Sequence, residues 1–252
     1  MNVTLELQKN EARAPSVDLL YWAMMLSACS MGEAIADFMS HGPLGLGYGW
    51  ASVVLMTGVI AALFAERAAK SKSQARYWIA IVIMSTAGTT LADFLSRTLK
   101  LGYFWGTALL AALFAATFFL WRRSLHPAAD LEKQKKAVPK TDSRYWAAIM
   151  VASTLGTTLG DSLTNGTKLG FGGGSAILLS LLGVVLFLES RARAENEARY
   201  WTALVLTSTV GATSGDYITK EEGLNLGYYW GIGAVLLLFV DIFIFARSRR
   251  AR

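Results

Sequence analysis

The chain has 252 residues, of which 54% are hydrophobic and 17% charged, and its mean hydropathy is +0.39. This composition departs from that of soluble globular domains towards that of membrane proteins. The formal net charge of +6 could suggest a nucleic-acid partner. Because the basic residues are clustered between apolar stretches, we exclude nucleic acid and expect the lipid bilayer as the partner.

Eight apolar stretches follow one another along the chain, each close to the ~20 residues that a helix needs to cross the hydrocarbon. They cover residues 19–39, 46–66, 77–96, 101–121, 145–164, 170–190, 200–219 and 226–246. We therefore predict an all-α membrane protein with eight transmembrane helices. Twenty of the 24 Lys and Arg residues lie in the termini and in the loops after the second, fourth and sixth stretches. This bias predicts that both termini are cytoplasmic.

One pattern recurs four times. In each copy a Tyr-Trp pair opens the first stretch, and an Asp follows fifteen residues after the Trp. The pairs and acids are Tyr21-Trp22 with Asp37, Tyr77-Trp78 with Asp93, Tyr145-Trp146 with Asp161, and Tyr200-Trp201 with Asp216. A Leu-Gly-aromatic triplet opens the second stretch of each copy, as in Leu46-Gly47-Tyr48. The pattern predicts four tandem parallel repeats, each a helical hairpin.

The predicted units follow from these boundaries. They are a cytoplasmic N-terminal segment (1–18), repeats at 19–69, 75–123, 143–193 and 198–252, the last with a basic tail, and a cytoplasmic linker at 124–142. Small residues such as Gly88 and Ala92 stand beside each Asp, which predicts close helix contacts and carboxylates that face the bundle interior.

The tandem arrangement, with two spans and a recurrent Trp per copy, resembles a family of bacterial membrane proteins known only as a repeat of unknown function. The resemblance runs from about Tyr21 to Arg247 and includes four copies. It implies the bacterial inner membrane as the location, but it implies no activity.

The four Asp residues should lie at one depth, about 22 Å from the Tyr-Trp end, because the repeats enter the membrane in the same sense. Placing one Asp near the centre of a transmembrane helix costs about 2.5–3.5 kcal/mol of insertion free energy. The first helix of each repeat contains no Lys, Arg or His in its interior. We therefore expect protons, a bound cation, or backbone and indole N–H groups to neutralise the acids.

Hydroxyl groups accompany the acids on one helical face, and Glu33 adds a second acid one turn before Asp37. Oxygen ligands without His favour a hard divalent cation such as Mn²⁺, Mg²⁺ or Ca²⁺. We predict a proton-coupled transporter of such a cation. The candidate cation and proton ligands are Glu33, Asp37, Asp93, Asp161 and Asp216, and the supporting hydroxyls are Thr89, Thr90, Thr157, Thr158 and Thr213.

A different reading makes the protein a non-transporting scaffold or assembly protein, in which each Asp clamps its own hairpin. An enzyme is disfavoured because the chain offers no plausible pair of nucleophile and base. A homo-oligomer is compatible with the sequence. The Tyr-Trp pairs are expected to act as interfacial anchors, and His41 to be solvated in an external loop.

Overall fold

The computed structural model describes residues 15–68, 73–124, 143–191 and 197–251. This part of the chain is all-helical, with eight long helices and no strand. The helices are α1 (Leu19–Ser40), α2 (Gly47–Ala68), α3 (Gln74–Asp93), α4 (Gly102–Ser124), α5 (Ser143–Thr164), α6 (Gly170–Arg191), α7 (Glu197–Thr219) and α8 (Gly227–Ala251). A π-helical turn, Phe94–Thr98, extends α3.

The eight predicted apolar stretches are confirmed as helices, with ends that differ by only a few residues. The predicted linker at 124–142 and the N-terminal segment at 1–18 lie mostly outside the described residues. The glycine of each Leu-Gly-aromatic triplet has a positive φ, which a residue with a side chain rarely adopts. These glycines are Gly47, Gly102, Gly170 and Gly227, with φ between 62° and 73°. The triplet therefore marks the sharp turn into each even-numbered helix.

Five of the described helical segments are long and apolar enough to cross a membrane. They are Leu19–Ser40, Gly47–Ala68, Gln74–Thr98, Gly170–Arg191 and Gly227–Arg249. The segment Gly102–Thr117 is apolar but shorter. These helices are compatible with a multi-pass membrane protein.

The odd-numbered helices α1, α3, α5 and α7 form a closed inner ring. Each packs against the odd helix of the next repeat, and α7 packs against α1 to complete the circle. Their shared faces are tight because a glycine from one helix meets a small residue of the next. The contacts are Gly32 with Ser85, Gly88 with Ser153, Gly156 with Ser208, and Gly211 with Cys29, and a Cβ at any of these glycines would lie under 3.0 Å from its neighbour. The predicted close approach of small-residue faces is confirmed here.

The even-numbered helices lie outside the ring, and their packing differs from the hairpins expected from the sequence. Helix α2 packs mainly on α3, α4 on α5, α6 on α7, and α8 on α1. Contact between the two helices of one repeat is much smaller. The even helix of each repeat thus covers the odd helix of the following repeat. The two helices of one repeat are joined by a turn but pack little against each other. The C-terminal helix α8 covers the N-terminal helix α1.

Candidate functional site

One end of the inner ring is closed by four tyrosine hydroxyls, which we call the tyrosine ring. Its members are Tyr21, Tyr77, Tyr145 and Tyr200, one from each repeat. Consecutive hydroxyl oxygens lie 2.9, 2.6, 3.0 and 2.8 Å apart around the circle. Every hydroxyl can donate one hydrogen bond and accept another, so the buried ring satisfies all four groups.

The Tyr-Trp pairs are therefore not interfacial anchors, and that expectation was wrong. All four tryptophans are buried, with exposed fractions of 2–5%. The pairs open the odd-numbered helices, and these helices form the interior of the bundle. The side chains one turn further along are also buried and apolar: Met25, Ile81, Ile149 and Leu204. The tyrosine end of the ring is thus packed shut.

The opposite end, which we call the acid end, contains all the predicted carboxylates. Glu33 on α1 is only 3% exposed. Its Oε2 accepts a hydrogen bond from Thr89 on α3 at 2.9 Å and lies 3.5 Å from the hydroxyl of Thr157 on α5. Helix α5 stands diagonally across the ring from α1. The Glu33 side chain therefore reaches into the centre of the ring.

Three of the predicted acids converge beside Lys220, and we call these four residues the lysine cluster. Carboxylate oxygens of Glu33, Asp37 and Asp216 lie within 4.8 Å of one another, and all three residues are buried. The ammonium Nζ of Lys220 lies 3.0 Å from Asp37 Oδ2 and 2.5 Å from Asp216 Oδ1. Acids from the first and last repeats thus share one cation.

The other two acids form the arginine cluster with Arg97 and Asn165. Arg97 Nε lies 2.6 Å from Asp93 Oδ1, and its Nη2 lies 3.7 Å from Asp161 Oδ2. The amide Nδ2 of Asn165 donates to Asp161 Oδ1 at 3.3 Å. The Arg97 guanidinium also lies 5.8 Å and 5.9 Å from the ring centres of Tyr48 and Tyr103. Acids from the second and third repeats share this cation.

The expectation that no positive side chain offsets the acids was wrong. Arg97 lies in the turn that extends α3 and Lys220 directly follows α7, yet both contact buried carboxylates. A helical side chain leans towards the N-terminus of its helix, so a residue just beyond the last turn can cover an Asp four positions earlier. The clusters also join different repeats, because Arg97 contacts Asp161 and Lys220 contacts Asp37.

A sequence signal for these partners existed at the fourth position after each Asp. That position holds His41, Arg97, Asn165 and Lys220 in the four repeats. Each of these side chains contacts the Asp of its own repeat. Spacing of four on a helix places two side chains on one face, so the register of the repeats could have identified the set.

The predicted hydroxyls separate into two groups. Thr89 and Thr157 lie 3.1 Å apart and contact Glu33, as expected. Thr90, Thr158 and Thr213 instead donate to carbonyl oxygens of their own helices, at 3.0–3.1 Å. A hydroxyl on this neighbouring face finds its nearest acceptor in the preceding helical turn.

Two ionisable groups of the acid end lie just outside the helices. Burial by itself would lower the pKa of Lys220, but the carboxylates of Asp216 and Asp37 raise this pKa by more than burial lowers it. The ammonium therefore remains charged. Burial lowers the pKa of His41, although Asp37, whose Oδ1 lies 3.5 Å from Nδ1, acts in the opposite direction. The His41 imidazole is therefore neutral at neutral pH. Its side chain is 38% exposed, which agrees with a partly solvated loop residue.

The comparisons with known proteins address the repeats and not the chemistry. No curated protein and no solved structure is detectably similar to this chain. A family model described as "Repeat of Unknown Function (DUF347)" matches residues 20–71, 76–126, 144–195 and 199–251. These segments coincide with the four repeats and cover most of the sequence. The chain therefore belongs to the family described as Repeat of Unknown Function (DUF347), and it carries four tandem copies of that repeat.

Proposed function

We propose that this protein is a transporter of a hard divalent cation, of the Mn²⁺, Mg²⁺ and Ca²⁺ class, and that transport is coupled to protons. The observation that carries the proposal is the convergence of Glu33, Asp37 and Asp216 to within 4.8 Å inside the helix ring. Oxygen ligands at 2.3–2.6 Å from a Ca²⁺ ion stand about 4.6–5.2 Å apart when they face each other across it. The three carboxylates therefore have a spacing that one ion can bridge.

Insertion in the bacterial inner membrane, with eight spans and cytoplasmic termini, is part of this proposal. The outer helices expose large apolar side chains, including Trp50, Trp105 and Trp230, which are 68–79% exposed. These three tryptophans occupy equivalent positions one turn into α2, α4 and α8, where a belt of aromatic residues would meet the interface. The acids of the odd helices and the hydroxyls of Thr89 and Thr157 are buried in the ring and avoid lipid.

The charge balance of the acid end supports a mobile cation. Five carboxyl groups lie there: Glu33, Asp37, Asp93, Asp161 and Asp216. Among the described residues, Arg97 and Lys220 are the permanently charged groups in contact with them. Three carboxyl groups remain to be neutralised by protons or by a bound ion. Exchange between the two would couple cation movement to proton movement.

Access to the two ends of the ring differs. At the acid end Arg97 is 36% exposed and Lys220 is 20% exposed. The tyrosine ring and the apolar side chains beside it are buried. Twelve residues, about 18 Å of helix, separate Tyr21 from Glu33. A cation could reach the lysine cluster from the acid end, which the proposed topology places outside, and transport would require the tyrosine end to open.

The proposal is tested by Mn²⁺ flux in proteoliposomes. Substitutions Glu33→Gln and Asp216→Asn should reduce flux by at least about tenfold, because each removes a charged ligand. Glu189→Gln is the matched control. Glu189 lies outside the acid end and pairs with Arg199, with 3.2 Å between Oε2 and Nε. Normal flux in folded Glu33→Gln and Asp216→Asn variants would refute the assignment.

The second candidate function is a membrane scaffold. Its support is the internal pairing of Asp37 and Asp216 with Lys220, and of Asp93 and Asp161 with Arg97. A purely structural role predicts that Asp93→Asn and Asp216→Asn lower the melting temperature while added Mn²⁺ or Mg²⁺ leaves the melting temperature of the wild type unchanged. A cation-dependent rise would favour transport.

A further inference from the structure

The Lys220 ammonium lies at the carboxylates that would bind the proposed cation. Its Nζ contacts one oxygen of Asp37 and one of Asp216, two of the three residues proposed as ligands. The same Nζ lies 5.3 Å from the centre of the Phe171 ring, on the side of α6. The side chain is 20% exposed, so the ammonium lies between the buried carboxylates and the surface of the acid end.

The backbone of Lys220 is held independently of its side chain. Its N–H donates to the carbonyl of Asp216 at 2.8 Å, and its carbonyl accepts hydrogen bonds from Gly223 at 3.0 Å and Asn225 at 3.2 Å. The ammonium is carried on a flexible stem of four methylene groups. It can leave the carboxylates by rotation of side-chain bonds, with the turn after α7 unchanged.

Arg97 in the arginine cluster carries a guanidinium where Lys220 carries an ammonium. Its guanidinium contacts carboxylates of two helices and lies against two tyrosine rings. A planar guanidinium with several fixed donors loses more contacts on moving than an ammonium does. The two cations at the acid end therefore differ in how easily they can be displaced.

We infer that Lys220 is a tethered competitor, which neutralises Asp37 and Asp216 until a divalent cation displaces it. This inference rests on the proposed function and adds that substrate binding and the Lys220 ion pairs exclude each other. The displaced ammonium would move towards the exposed side of the acid end. Either the Lys220 ammonium or the divalent cation would then neutralise Asp37 and Asp216 at any time. The buried carboxylates would never be left without a positive charge beside them.

The experiment measures Mn²⁺ affinity of the full chain in detergent, by equilibrium binding and by the shift of the melting temperature. Lys220→Gln should bind Mn²⁺ at least about tenfold more tightly than the wild type, because the competing charge is gone. Arg97→Gln is the matched control and should change the affinity by less than about threefold. Equal tightening in both variants would indicate a general charge effect and overturn the inference.

A second variant keeps the test decisive if Lys220→Gln does not fold. Lys220→Arg retains the charge and should bind Mn²⁺ about tenfold more weakly than the wild type, because a guanidinium has more fixed donors than an ammonium and loses more contacts when it moves away from the carboxylates. If the folded Lys220 variants bind Mn²⁺ with unchanged affinity while the wild type shows normal binding and flux, the inference about Lys220 is overturned. The proposed transport function would then still stand. No Mn²⁺, Mg²⁺ or Ca²⁺ binding to any form would overturn both.

Discussion

The two ends of the inner helix ring differ in how far the four repeats have diverged. At the tyrosine end every repeat contributes the same residue, and the four hydroxyls form one circle with separations of 2.6–3.0 Å. At the acid end the Asp is kept, but the side chain four residues after it is different in each repeat. The ring therefore combines a uniform closure with an asymmetric polar site.

The divergence at the acid end affects two positions of the repeat. Four residues before the Asp stand Glu33, Thr89, Thr157 and Ala212, and four residues after it stand His41, Arg97, Asn165 and Lys220. These substitutions turn four equivalent acids into two unlike pairs. One pair shares a lysine beside an additional glutamate, and the other shares an arginine, with an asparagine on Asp161 alone. A uniform end suits a seal, whereas an asymmetric end suits recognition of one ligand.

The largest effect is expected from glycines that hold the ring together. Gly211→Ala would place a Cβ against Cys29, where α7 meets α1. We expect the free energy of unfolding in detergent to fall by about 3 kcal/mol or more, because backbone as well as side chain would have to move. Gly32→Ala, Gly88→Ala and Gly156→Ala should cost similar amounts. Chemical denaturation followed by circular dichroism measures these values.

Gly183→Ala is the control for the glycine series. Gly183 lies in α6 and a Cβ there would meet nothing within 4 Å. Since alanine favours a helix over glycine by about 1 kcal/mol, this variant should be neutral or slightly more stable. Equal losses at Gly183 and Gly211 would contradict the closed ring.

The next effect tests the asymmetry of the acid end. Arg97→Ala leaves Asp93 and Asp161 without their shared cation, and we expect a loss of about 2 kcal/mol, reduced from the cost of a fully buried pair because a third of the side chain is exposed. Asn165→Ala removes one neutral donor and should cost below about 1 kcal/mol. Both are measured by denaturation in detergent, with the exposed Lys168→Ala as a control. Equal losses of unfolding free energy in Arg97→Ala and Asn165→Ala would contradict the asymmetry, because the second and third repeats would then be equivalent at this position.

The third test, with a smaller effect than the glycine and arginine variants, concerns the uniformity of the tyrosine end. Each single Tyr→Phe substitution in the tyrosine ring should cost about 1–2 kcal/mol, because two neighbouring hydroxyls each lose a partner. The four values should agree closely. Replacing all four tyrosines should cost less than the sum of the single changes, since no unpaired hydroxyl is left. Tyr229→Phe, at a residue that is 70% exposed, is the control.

The tyrosine series is measured by denaturation of the single, double and quadruple variants. A single tyrosine whose removal accounts for most of the stability, or strictly additive losses, would contradict a cooperative circle of hydrogen bonds.

Much of the architecture could be predicted from local patterns. The apolar stretches predicted all eight helices, and the constant spacing from Trp to Asp placed the four acids at one end of the ring. Contact of Glu33 with Thr89 and Thr157 also agrees with the predicted ligand shell. These features depend on helical periodicity, which adjacent residues determine.

Other features depended on which helices meet, and local patterns did not reveal them. The even helices cover the odd helices of the next repeat, and the two helices of one repeat pack little against each other. The same packing buries the Tyr-Trp pairs, whose composition resembles that of interfacial residues. Lys220 and Arg97 look like loop residues in the sequence, but each bridges acids from two repeats.

By itself the sequence determined the repeats, the helices and the common level of the acids, because these follow from the spacing of residues within 3.6-residue helical turns. Only the tertiary structure decided that four tyrosines close one end, that Glu33 joins Asp37 and Asp216, and that Lys220 and Arg97 are shared between repeats. The hydroxyl contacts of the tyrosine ring join residues that are 55–179 positions apart along the chain. They form because ring closure brings the first and last repeats together.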